Sequence, residues 1–189
     1  MLHVFGFEQV AVAVGDLYFV DPHPARGQEG AERGVRLELR VLRREDLKGS
    51  IYSAQPIVVD RPIWRVDVLE SVAGPVGSLD RTHHHPGMHG WEPGERCFVP
   101  ELSADPLAWL ADRLADIPAV LVENGTDPDA VDARDAASLR EAAPEIVDTV
   151  GRLLERVRAG ELAQAPGVAD GAGGAASGET PASARVSWL

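Results

Sequence analysis

The spacing of apolar residues changes about halfway along this chain, and that change limits the folds open to it. In the first half Val35, Leu37, Leu39 and Val41 alternate with Arg36, Glu38 and Arg40. This is the period of two expected of a strand with one buried and one solvated face. In the second half Leu107, Leu110, Ala111 and Leu114 recur at three- and four-residue steps, as do Leu139, Ala143, Ile146, Val150, Leu153 and Val157. That spacing lines one face of a helix. Strand following strand through short connections favours antiparallel pairing, because parallel strands need a long crossover. The expected architecture is α+β, a mainly antiparallel sheet from the N-terminal half covered by two or three C-terminal helices.

Finer punctuation follows from turn chemistry. Residues 9–14 and 17–20 are apolar runs separated by Gly15-Asp16, which reads as a hairpin turn. Residues 51–59 and 63–69 read as two strands broken at Asp60-Arg61-Pro62. In the second, Trp64, Val66 and Val68 share one face, and Arg65 and Asp67 the other. A last short strand is expected over 97–99, and an exposed loop over 21–34. Asp105-Pro106 reads as a helix start, Pro118 as an end or kink, Pro144 as a divider between a short helix and the main one, and Gly160 as a cap. Residues 1–162 thus form a single expected domain. Beyond it, residues 163–189 are rich in Gly, Ala, Ser and Pro without apolar periodicity and read as a flexible tail. Its tip, Trp188-Leu189, is apolar enough either to fray or to dock on a partner.

Composition removes several function classes. A formal net charge of −12 opposes the basic footprint that nucleic acid requires and the anionic surface of a lipid leaflet. No segment approaches the apolar length of a spanning helix. Cys97 is the only cysteine, so an intrachain disulfide and a thiolate zinc site are both excluded. A reducing, cytoplasmic compartment is the expectation, and the opening residues, interrupted by Glu8 and Asp16, do not read as a signal peptide. The chain has neither a phosphate-binding Gly-rich loop with Lys and Ser/Thr nor a Gly-x-Ser-x-Gly elbow. The acidic stretch from Asp127 to Asp135 lacks calcium-loop spacing.

One constellation carries chemistry. Four of the six histidines fall within residues 83–89, where His83, His84 and His85 are followed by Pro86-Gly87-Met88-His89. In an extended segment His83 and His85 point to one side and His84 to the other. Pro86-Gly87 is then expected to bend the chain so that His89 supplies a third nitrogen. Three imidazoles with a carboxylate suit a divalent metal such as zinc, manganese or iron. The proposed ligand set is His83, His85, His89 and Glu92, with Asp67, Glu70, Asp80 and Glu95 as other oxygen donors. Asp21 and His23 are placed to close over the site if the long loop folds that way. A plainer use of the same histidines is hydrogen bonding to carbonyls, stacking on Trp91, or solvation.

Gly77 with His83-x-His85 resembles the opening of the first cupin motif, which implies a metal held inside a β-barrel. The glutamate expected after it is replaced by His89 or a late Glu92, the second motif is missing, and the chain turns helical where a barrel would continue. The longer stretch HHHPGMHGWEPGERCFVPELSADPLAWLADRL resembles members of an uncharacterised bacterial family of unknown function, and implies no activity. Read from the residues, Trp91 and Trp109 within it are anchors for the loop and first helix. The functional expectation is a small metal-binding protein or metal-dependent enzyme. The alternative is a non-enzymatic interaction or accessory protein engaging a protein partner or forming a homodimer.

Overall fold

The computed structural model describes residues 1–166. Five strands, β1 (Leu2–Gly6), β2 (Val10–Val20), β3 (Ala31–Arg44), β4 (Ile57–Ser71) and β5 (His83–His85), form an antiparallel sheet in chain order. A two-stranded ribbon of β6 (Met88–His89) and β7 (Glu92–Pro93) follows. The helices are α1 (Pro100–Ala104), α2 (Pro106–Ala115), α3 (Ile117–Glu123) and the long α4 (Ala133–Arg158). The fold is α+β as the apolar periods require.

The period-two residues Val10, Val12, Val14, Val35, Leu37, Leu39, Trp64, Val66 and Val68 make the helix-facing side of the sheet, all essentially inaccessible. Leu110 and Leu114 of α2 and Leu139, Ile146, Val150 and Leu153 of α4 meet them in one core. Each such side chain contributes about 1.5–3 kcal/mol by leaving water. Trp109 joins this layer against Trp64, ring centroids 6.1 Å apart. Trp91 instead is exposed, with Arg40 lying over its ring.

Several boundaries differ from the turn-based expectation. Gly15-Asp16 makes no turn: β2 runs straight through it, pairing Gly15 with Leu2 on one side and Arg36 on the other. Asp16 is held there by the N-terminal ammonium and by the amide of Ala163, which it accepts at 2.8 Å. Residues 51–55 form an exposed turn rather than a strand, whereas Asp60-Arg61-Pro62 lies inside β4 as a register shift opposite Arg40. β5 does not reach that part of β4, so no ladder bond is lost at Pro62 on its free side. Pro144 does not divide α4. It sits on the exposed face, so the carbonyl it leaves unpaired points to water while the buried stripe on either side holds the helix together.

Asp105 and Asp132 cap α2 and α4, accepting the amides of Ala108 at 3.1 Å and Asp135 at 2.7 Å. Gly160 follows α4 with φ of 73°, a conformation that suits the end of a helix. Ala163, the first residue of the tail as read from composition, is buried against the core. The rest of that tail from residue 167, including Trp188-Leu189, lies outside the described residues.

Candidate metal centre

The face of the sheet turned away from the helices is polar. Opposed residues of antiparallel strands project to the same side, so the register alone sets a row across three strands: Arg36 of β3 lies opposite Asp67 of β4, and Asp67 opposite His83 of β5. His85 stands two residues on, opposite Arg65, and Arg65 is in turn opposite Glu38. His84 points to the other face, against Trp109, with ring centroids 5.5 Å apart. There burial, with Arg113 nearby, holds its imidazole below the ordinary histidine range.

Asp67, His83 and His85 converge, and all three are buried. His83 Nε2 lies 3.1 Å from His85 Nε2, and Asp67 Oδ2 lies 3.5 Å from each. The centre of a triangle with these sides is about 2 Å from every corner, the bond length of zinc to nitrogen or carboxylate oxygen. The remaining ring nitrogens are committed elsewhere. His83 Nδ1 is 2.7 Å from the carbonyl of Arg81, and His85 Nδ1 is 2.8 Å from that of Gly94. A carbonyl only accepts, so each Nδ1 carries a proton and Nε2 is the ring nitrogen that each histidine turns to the centre.

Burial disfavours the charged form of His83 and outweighs the attraction of Asp67, holding its pKa down to about 4. Burial alone would raise the Asp67 carboxyl, but Arg36 and the two imidazoles outweigh it and keep the group well below the carboxylate range. Two imidazole nitrogens and a carboxylate oxygen thus face one another at close range, a donor set that a cation would satisfy.

Arg36 holds the carboxylate in a fork, Nε to Oδ1 at 2.6 Å and Nη2 to Oδ2 at 3.1 Å. Beside it Arg65 donates to Glu38 at 2.8 Å, and Arg40 pairs with the same carboxylate. Arg96 donates to Glu32 at 2.8 Å. The triad opens on a cavity of about 620 Å³ whose walls include Phe19, Phe98 and the three arginines 36, 65 and 96. Asp21 and His23 of the 21–30 loop also line it, so the loop does fold over this site.

His83 and His85 are therefore brought together, but His89 and Glu92 are not. They pair with each other across the β6–β7 ribbon, both exposed. Pro86-Gly87 bends the chain as its composition requires, yet the ribbon returns the backbone carbonyl of Gly94 to His85, not a third imidazole. The carboxylate that meets the two imidazoles is that of Asp67, one of the secondary donors. Asp80 is spent on Ser71 and Ser78, and Glu70 on Arg33 and the amide of Gly77. Glu95 is exposed at the cavity wall. Cys97 is exposed and makes a single bridge to His84.

The arginines were missed because Arg36, Glu38 and Arg40 read as the solvated face of a strand. The available signal was complementarity, since Arg-x-Glu-x-Arg on one strand and Arg-x-Asp on another are what a half-buried polar sheet face needs. Compared with known protein families, curated proteins and solved structures, the chain matches none.

Proposed function

We propose that this protein is a metal-dependent enzyme that binds a divalent transition metal through Asp67 Oδ2, His83 Nε2 and His85 Nε2. The observation that carries the reading is geometric: two backbone carbonyls take the Nδ1 hydrogens, and the two Nε2 atoms, 3.1 Å apart, each lie 3.5 Å from Asp67 Oδ2. Metal-binding histidines commonly donate their other ring nitrogen in this way, which fixes tautomer and ring orientation. Two imidazoles and a carboxylate without thiolate suit zinc, manganese or iron. A metal held by these three donors would supply Lewis acidity and activate water. Arg36 orients Asp67 as its ligand, and the sheet supplies the rigidity.

The test is metal analysis of full-length protein purified without a metal-affinity column, then reconstituted with zinc, manganese or iron(II). Stoichiometric metal is expected in the wild type, lost in His83→Ala and His85→Ala and kept in His89→Ala and Glu92→Ala. A wild-type chain that retains none of the three metals would rule the reading out. Retention by the His85→Ala variant at wild-type affinity would do the same for the ligand assignment.

A further inference from the structure

We infer that the cavity in front of the triad takes a small oxyanion-bearing molecule with an apolar body, a carboxylate or a phosphate ester. One of its oxygens would sit on the metal and another on the arginines 36 and 65. This rests on the metal reading above. The cavity, about 620 Å³, falls in the size range of small-molecule sites, roughly 300–1,000 Å³.

Charge argues for the anion. On the floor of the site Asp67, Glu38 and Glu32 pair with Arg36, Arg65 and Arg96 respectively. These charges cancel, as do Arg40, a second partner of Glu38, and Asp21, a second partner of Arg96, and a divalent ion bound to neutral imidazoles would add two that nothing on the floor offsets. Of the acidic groups on the walls, Glu95 is exposed, and Asp21 stands on the covering loop 3.8 Å from Arg96. An anionic ligand restores neutrality where the dielectric is low.

The arginines are also oriented rather than exhausted. Arg36 uses Nε and Nη2 on Asp67, and Arg65 uses Nε and Nη2 on Glu38. Among the described residues no hydrogen bond engages Nη1 of either group, so each fork is locked by one carboxylate with an edge to spare for another. Arg36 Nη2 is 3.1 Å from the very oxygen assigned to the metal. A ligand with two oxygens on one atom therefore spans from metal to guanidinium. Phe19 and Phe98 line the same cavity, and Phe98 lies 5.5 Å from the His83 ring between centroids. These aromatic walls call for an apolar body behind the anionic head.

Titration calorimetry on the full-length, zinc-reconstituted protein tests this with benzoate, phenyl phosphate and the neutral benzyl alcohol. Saturable binding is expected for at least one of the two anions, and which one responds identifies the head group. Benzyl alcohol should bind at least about tenfold more weakly. Arg65→Gln should weaken the anion by about tenfold or more without changing zinc content, because Glu38 keeps Arg40 as its partner. Arg65→Lys should fall between the two, since it restores charge without the fork. Full zinc occupancy with no binding of either anion, or benzyl alcohol binding equally well, overturns the inference and leaves the metal centre standing. Failure to bind zinc, manganese or iron(II) removes both.

Discussion

Arg36 and Asp67 face each other on adjacent strands, and the guanidinium closes both carboxylate oxygens in a fork while one of those oxygens also faces His83 and His85. Removing the arginine leaves a carboxylate that is 1% exposed without its main counter-charge. Arg36→Met is expected to destabilise the fold by about 3–5 kcal/mol and to weaken metal binding about 10- to 100-fold. Arg36→Lys should recover part of each. Urea denaturation and a competitive metal titration on the same preparations measure the two effects separately.

The metal-free protein should lose stability as pH falls, in two stages. His83 has a folded pKa of about 4 against an ordinary value of 6.5, so below 6.5 the unfolded chain takes up the proton first. Its contribution is complete above pH 6.5 and is lost as pH falls toward 4, a change on the order of 3 kcal/mol. Asp67 is depressed in the fold, so its contribution is present above its ordinary 3.8 and fades below that. Urea midpoints at pH 7, 5.5 and 4 on apo wild type and His83→Gln check this. The variant should show a shallower slope between pH 6.5 and 4, the remainder including His84, which burial also holds down, and an equal slope in both proteins would show that His83 is not a source.

Asp135 ties the start of α4 to the turn between β1 and β2. Its buried carboxylate accepts the amides of Glu8 at 2.9 Å, Gln9 at 2.8 Å and Val10 at 3.1 Å. Asp135→Ala orphans these donors and should cost about 3 kcal/mol. Metal content should be unchanged, because the turn lies on the other side of the sheet's chain order from β5. Hydrogen exchange should show the amides of residues 8 to 10 losing protection first.

Pro144 is exposed in the middle of a 26-residue helix. Pro144→Ala restores a backbone donor and removes the ring clash, so it should raise stability by about 1–2 kcal/mol. A shift of the thermal midpoint upward, with metal binding unaffected, is the expected result. A downward shift would mean that the proline's stiffening of the unfolded chain outweighs the lost hydrogen bond.

The layout of layers and the identity of the core are legible in the sequence. Val35, Leu37 and Leu39, and then Trp64, Val66 and Val68, fall on the helix side as their alternation requires, and His84 is separated from His83 and His85 by the same rule. The candidate site was legible by half. His83 and His85 followed from alternation, whereas spacing alone placed His89 and Glu92 beside them and left Asp67 as one acid among several. Gly15-Asp16 and Pro144 misled for a related reason, because each is a local breaker overruled by long-range partners. Asp16 is held by Ala163 and the N-terminus, and Pro144 by the buried stripe that flanks it.

What the chain determines by itself are the properties of backbone geometry: the period of each segment, the face on which each side chain falls, and the caps that stop the helices. These depend on neighbours a few residues away. Tertiary structure alone decided that Arg36, Asp67 and His83 share one row, and that Gly94 gives its carbonyl to His85. Cross-strand register brings together residues dozens of positions apart, and no local preference encodes which of many charged side chains will meet on the buried polar face.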